Sequence, residues 1–172
     1  MPAQIRILKD AALYINTNTY VGLVAELDLP NVERTTAAHE TLAMQGTINV
    51  GVGKEAMESR IGWMGKTKAM SKVAYNTQDV QDFQVRGVIE DISGPKKTLE
   101  NVVWYYRGVF RSYDPGKFSA KSLATSESMV DVHYFREEID GEVMCEQDFA
   151  NNIDKVGGVD LNAARNKMLG FI

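Results

Sequence analysis

Gly62-Trp63-Met64-Gly65-Lys66-Thr67 places a glycine, a lysine and a threonine in the order that closes a phosphate-binding loop. In such a loop the backbone amides and the lysine hold phosphates while the hydroxyl reaches a magnesium ion. That chemistry needs a further glycine five residues before Gly65, and the position is Arg60. It also needs a buried strand before the loop and a long helix after it. Here the preceding strand alternates and the following helix is short, so the expectation is a strand end, a glycine turn and two solvated side chains. Gly51-Val52-Gly53-Lys54 lacks a third glycine and fails in the same way. A nucleotide-binding enzyme built on Gly62–Thr67 is the different-class alternative, and saturable ATP or GTP binding in calorimetry would revive it.

His133 and Asp148 form the other combination with catalytic potential. An imidazole beside a carboxylate serves general-base chemistry when a nucleophile lies within hydrogen-bond reach. The expected hairpin places these two residues opposite each other, on the face away from the core. It sends Cys145 to the other face, which leaves a polar cross-strand pair without a nucleophile. His39 stands alone in a polar stretch. With two histidines and one cysteine, neither a histidine-based metal site nor a cysteine cluster is expected, and no carboxylate spacing resembles a calcium loop. No catalytic, cofactor-binding or metal-binding residue is assigned.

The elements that would carry such residues are mostly strands. Val21, Leu23, Ala25, Leu27 and Leu29 alternate with polar or small neighbours until Pro30. Ile48, Val50 and Val52 repeat the pattern, as do Met57, Ile61 and Trp63 after the turn Gly53-Lys54-Glu55. Phe83, Val85, Gly87 and Ile89 form the next face, then Val102, Trp104, Tyr106 and Phe110. Asp140-Gly141 is a preferred two-residue hairpin turn within Val130–Ala150. It pairs Ile139 with Glu142, Arg136 with Cys145, Tyr134 with Gln147 and Val132 with Phe149. Lys68–Tyr75 reads as a short helix with Met70, Val73 and Ala74 inward, and Phe118–Ser128 reads as a surface loop.

The closing segment is an assembly of local signals. Asp148–Lys155 ends a strand, Gly157-Gly158 is a hinge, and Asp160 is placed to cap a helix carrying Leu161, Ala164 and Met168 on one side. Arg165 and Lys167 suit its last turns, and Gly170 its C-terminal cap. It reads as a docking element. The expected architecture is mainly β: one antiparallel sandwich or barrel domain over residues 1–172, with one or two short helices.

Composition narrows the function. Of the 172 residues 44% are hydrophobic and 24% charged, values of an ordinary folded chain with its own core. No apolar run is long enough to span a membrane, and the first residues lack the apolar stretch of a secretory signal. A net charge of −4 argues against general nucleic-acid affinity. Tyr105 and Val109 lie opposite the Trp104–Phe110 face, and Phe135 and Ile139 opposite the Val132–Tyr134 face. Strands with two demanding faces point to burial against another subunit.

The chain resembles the major tail tube proteins of contractile-tailed bacteriophages and of related phage-tail-like bacteriocins. The resemblance rests on Ile153-Asp154-Lys155-Val156-Gly157-Gly158-Val159-Asp160 followed by a short helix ending Met168-Leu169-Gly170. The Tyr20-Val21-Gly22 to Leu29-Pro30 strand, the Ala43-Met44-Gln45-Gly46 to Val50-Gly51-Val52 stretch and the strand ending Gly62-Trp63 follow the same family's order. One departure is Lys66–Tyr75, more polar than the family's helix and without tryptophan.

The resemblance implies a structural, non-enzymatic subunit that needs no cofactor. Its hexameric rings join their sheets into a continuous inner barrel and stack into a hollow rod inside a sheath. Implied partners are other copies of the chain, the sheath protein, the tape-measure protein and tail-end or baseplate proteins, with DNA passing through unbound. The implied location is the virion tail, and the host cytoplasm before assembly. The alternative is a tube of a bacteriocin or a type VI secretion-like injection system. Thr36–Lys54, with Met44, Gly46, Gly51, Gly53 and Lys54, is the candidate inter-ring contact. Asp160, Leu161, Ala164 and Met168 form the candidate C-terminal docking element. The acidic balance predicts a neutral to acidic channel face.

Overall fold

Alternation of apolar and polar residues becomes strand nearly everywhere it occurs. The computed structural model describes residues 5–42 and 45–171. In chain order the elements are β1 (Arg6–Ile15), β2 (Asn18–Thr19), β3 (Val24–Asp28), β4 (Arg34–His39), β5 (Ile48–Lys54) and β6 (Met57–Trp63). Then come α1 (Lys68–Ala74), β7 (Gln81–Asp91), β8 (Thr98–Asp114), β9 (Ser126–Ile139), β10 (Glu142–Asp148), β11 (Ile153–Val156), β12 (Val159–Asp160) and α2 (Ala163–Met168).

The main sheet runs β12-β11-β10-β9-β8-β7-β1-β2, and all its pairings are antiparallel. It forks at β9. Residues Ser126–Val132 pair with β6, which carries β3, while Tyr134–Ile139 pair with β10. The forked sheet curls around a core of Leu13, Ile15, Met57, Ile61, Trp63, Phe83, Val85, Trp104, Tyr106, Phe110, Val130 and Phe135. Phe83 stacks on Tyr106 at 4.7 Å and meets Phe110 edge-on at 5.5 Å. Helix α1 closes the core with Met70 and Ala74 fully buried and Val73 packed against it, and the Thr67 hydroxyl accepts the Met70 amide at its start.

Bulges account for most departures from the expected pattern. In β9 the partners of Arg107 and Gly108 are Tyr134 and Val132, so His133 is the extra residue. The inward phase therefore switches from Val130 and Val132 to Phe135, and Ile139 packs against the same core. Phe135 and Ile139 do not form a second face that needs a partner subunit. In β10 the extra residue is Met144, which shifts the hairpin by one: Cys145 pairs with Glu137, Gln147 with Phe135 and Asp148 with Tyr134. His133 consequently lies beside Phe149, whose amide donates to its carbonyl, and no His133–Asp148 pair forms.

The expected Val21–Leu29 strand is also rephased. Tyr20 is buried and Val21 exposed, because the chain turns at Gly22 (φ +81°) before β3 begins. A bulge at Ala25 then points Val24, Leu27 and Leu29 toward the core. Within Phe118–Ser128, the last three residues belong to β9. Ser128 is fully buried and accepts the Trp63 indole N–H at 2.9 Å.

Candidate functional site

Among the described residues, strands β4 and β5 pair only with each other and form a separate two-stranded sheet. Their alternation is real, but its apolar face meets solvent rather than the core: Ile48 is 52% exposed, Val50 44% and Val52 62%. Such a row on a projecting hairpin is an unpartnered apolar patch. Gly46 lies in the connecting loop, Met44 falls outside the described residues, and Gly53 has open space around its Cα. At Gly51 the Arg34 guanidinium from the opposite strand occupies the place a side chain would take.

Lys54 turns inward at the hairpin base. Its ammonium lies 2.5 Å from the Gln147 side-chain oxygen and 2.8 Å from the Asp154 carboxylate, and the Gln147 amide donates to Asp154. Gln147 is almost completely buried and Asp154 nearly so. Three polar groups therefore satisfy one another between the hairpin and the β10–β11 pair, as buried polar groups must. Lys54 ties the hairpin to its own subunit.

The C-terminal segment lies against the same place. Gly157 and Gly158 (φ +55° and +80°) form a two-residue turn joining β11 to β12, so they build a hairpin rather than a hinge. Asp160 belongs to β12 and accepts the Asn162 amide at 2.9 Å; the residue before α2 is Asn162, whose side chain makes no capping bond. The Asn162 and Asn166 amides instead donate to the Asn152 carbonyl at 3.2 and 3.1 Å. These bonds anchor α2, and no α2 residue is buried. Leu161, Ala164 and Met168 are exposed, Met168 at 87%, alongside Leu169 and Phe171. Gly170 (φ +77°) takes the expected left-handed position after the helix.

A cleft of about 400 Å³ lies between the two segments, lined by Arg34, Gly51, Gly53 and Lys54 on one side and Asp154, Asn162 and Arg165 on the other. Gly51, Gly53 and Lys54 of the expected inter-ring contact thus face Asn162 and Arg165 of the C-terminal segment, whereas Asp160, Leu161, Ala164 and Met168 do not line this cleft.

The sheet face opposite the core has its own order. One row crosses six strands through Gln84, Tyr105, Arg136, Glu146, Lys155 and Asp160. A second row contains Asp82, Arg107, Tyr134 and Asp148. Arg136 lies over the Tyr105 ring (5.0 Å), Arg107 over Tyr134 (5.5 Å) and Arg86 over Tyr14 (5.3 Å), contacts worth about 0.5–1 kcal/mol each at exposed sites. Asp82 accepts from Arg107 at 2.8 Å, and this bond raises the guanidinium above its ordinary range.

The residues with apparent chemistry are occupied structurally. Gly65 packs against Leu23, the Lys66 ammonium lies 5.7 Å from the Tyr113 ring centre, and Thr67 caps a seven-residue helix that follows an antiparallel strand. His39 closes β4 opposite Ile48. Among the described residues no group of three His, Cys, Asp or Glu side chains is placed to hold a metal ion. The site is made of surfaces. Sequence reasoning missed the Lys54–Gln147–Asp154 cluster and the arginine–tyrosine pairs. The signal for the pairs was the outward set of β7–β9, in which Arg86, Tyr105, Arg107, Tyr134 and Arg136 alternate with core residues.

Residues 5–170 match the family described as phage tail tube protein FII. The chain belongs to that family. It is a contractile tail tube subunit, a component of the virion tail, and a structural protein rather than an enzyme. The tail tube protein of Escherichia phage P2 is 25% identical over 176 residues, covering 99% of each chain. Two solved structures share the fold of this tube subunit. One is the sheath–tube complex of an extracellular contractile injection system, PVC, in its extended state, with a TM-score of 0.53 and 10% identity over 74% of this chain and 87% of that one. The other is the sheath/tube terminator of the same system, with a TM-score of 0.54 and 9% identity over 74% and 92%.

Proposed function

We propose that this tube subunit, acting as one domain, assembles into hexameric rings that stack into the inner tube of a contractile phage tail. The sheath surrounds that tube, a tape-measure protein and then DNA occupy it, and tail-end or baseplate proteins close it. Subunits wait in the host cytoplasm until assembly starts. The observation that carries this reading is the β4–β5 hairpin, which projects from the main sheet with Ile48, Val50 and Val52 uncovered.

Two further features support it. The outer edge of β1 over Arg6–Leu13 and the outer edge of β12 have no strand beside them among the described residues. Pairing such edges around a ring removes them from solvent. Helix α2 and Leu161 offer a second uncovered surface, so the hairpin with Gly46, Gly51 and Gly53 serves as the inter-ring contact and α2 as a docking element.

A phage tube is favoured over an injection-system tube because the phage P2 relative aligns over 99% of the chain, whereas the PVC structures cover 74%. The experiment is electron microscopy of purified protein with and without the pair Ile48→Asp and Val52→Asp. The wild type should form hollow rods of stacked six-fold rings. The variant should keep its thermal stability, since exposed substitutions usually change it by about 0.5 kcal/mol or less, and form no rods. A wild type that stays monomeric at high concentration contradicts the ring reading. Rods formed by the variant contradict the hairpin's role.

A further inference from the structure

We propose that the outer face of the β1–β7–β8–β9 sheet is the channel wall of the tube, and that tyrosines there restrain its arginines from gripping the polyanion that passes. The inference rests on the ring reading above. If subunits join their sheets into a closed barrel, one face of the sheet must look into the bore. The inner face carries the core and α1, and the sheet curls around that core so that β6 and β3 add Met57, Ile61, Trp63, Val24 and Leu27 to it. The bulk of the subunit therefore lies on that side and belongs outside the barrel, which leaves the bare face to line the channel.

The chemistry of that face suits a wall for DNA. A free guanidinium takes a phosphate through two parallel hydrogen bonds, and every such contact adds to affinity. Repeated around each ring and along the stack, free arginines would hold the cargo in place. Each arginine on this face is instead held on two sides. Arg107 has the Tyr134 ring at 5.5 Å and Asp82 at 2.8 Å, and Arg86 has the Tyr14 ring at 5.3 Å and the Gln84 oxygen at 3.4 Å. Arg136 has the Tyr105 ring at 5.0 Å and the Glu138 carboxylate. The Tyr134 hydroxyl donates to Glu146 at 3.1 Å, and Glu146 pairs with Lys155 at 3.1 Å. The network thus fixes the ring that covers Arg107, and the wall presents satisfied charge of both signs.

Two experiments on assembled tubes test this, both in a Cys145→Ser background. Val88 is exposed and shares the outward phase of Arg86 without joining the pairs; Lys72 is exposed on α1. Val88→Cys should react with a small maleimide but not with one carried on a globular protein wider than the bore, whereas Lys72→Cys should react with both. Reaction of Val88→Cys with the large reagent, or with neither, overturns the channel assignment. For the masking, Asp82→Asn and the pair Tyr105→Leu with Tyr134→Leu should each raise the amount of short duplex DNA that sediments with tubes severalfold, and more so at low salt. Unchanged retention in the Asp82→Asn tubes overturns the masking even if the double variant does not fold. Absence of rods in micrographs of the parent protein overturns the ring reading itself, and is seen before any labelling.

Discussion

Gly108 sits where β8 steps across the His133 bulge, and a Cβ there would run into the Asp131 carbonyl oxygen and stand 2.9 Å from the Val130 side chain. The opposing atoms are backbone and a fully buried valine, so neither yields easily. Gly108→Ala should therefore destabilise the subunit by about 1–3 kcal/mol, read as a lower Tm in calorimetry. Tyr106 imposes a different constraint. Its phenol is fully buried with Ser59 Oγ at 3.3 Å, and burial raises it above its ordinary value of 10.0. A group whose folded pKa is raised contributes stability that is complete below its unfolded pKa and is lost as pH climbs through the folded value. The unfolding temperature should thus begin to fall as pH rises past about 10, where the unfolded phenol ionises, and keep falling at higher pH while the buried phenol stays protonated; Tyr106→Phe should flatten that fall.

At the scale of elements, the hairpin, the β10–β11 pair and α2 are coupled through few groups. Asp154→Asn removes the countercharge of Lys54, which is only partly exposed, and should cost about 1 kcal/mol. The same change should let a protease cut within residues 34–54 sooner than in the wild type; equal cutting rates would show that the cluster does not hold the hairpin. Alternation in β6, β7 and β8 was legible in the sequence, because Met57, Ile61, Trp63, Phe83, Val85, Trp104, Tyr106 and Phe110 all face the core. The Asp140-Gly141 turn was legible too, since Ile139 pairs with Glu142. What pattern could not supply was the bulges at Ala25, His133 and Met144. A bulge is decided by the partner strand across the sheet and leaves no local signature in its own residues. The candidate surfaces were legible as segments only. Lys54 looked like a surface lysine because Gln147 and Asp154 lie more than ninety residues away in the chain.

For the whole molecule, the consequence lies in the strand β12, which is two residues long and ends the main sheet. An edge that short offers too few backbone bonds to hold a stranger, so a stray strand gains little by adding there. Two subunits meeting alone gain equally little, and growth waits until several weak contacts form together. Polymerisation should then show a threshold concentration and a lag, followed in time by light scattering, and sheared rods added as seeds should abolish the lag. Smooth growth from the first minute at all concentrations would argue against this. The brevity of one strand thus keeps the β12 edge from starting growth by itself, and leaves that start to whatever first gathers a ring.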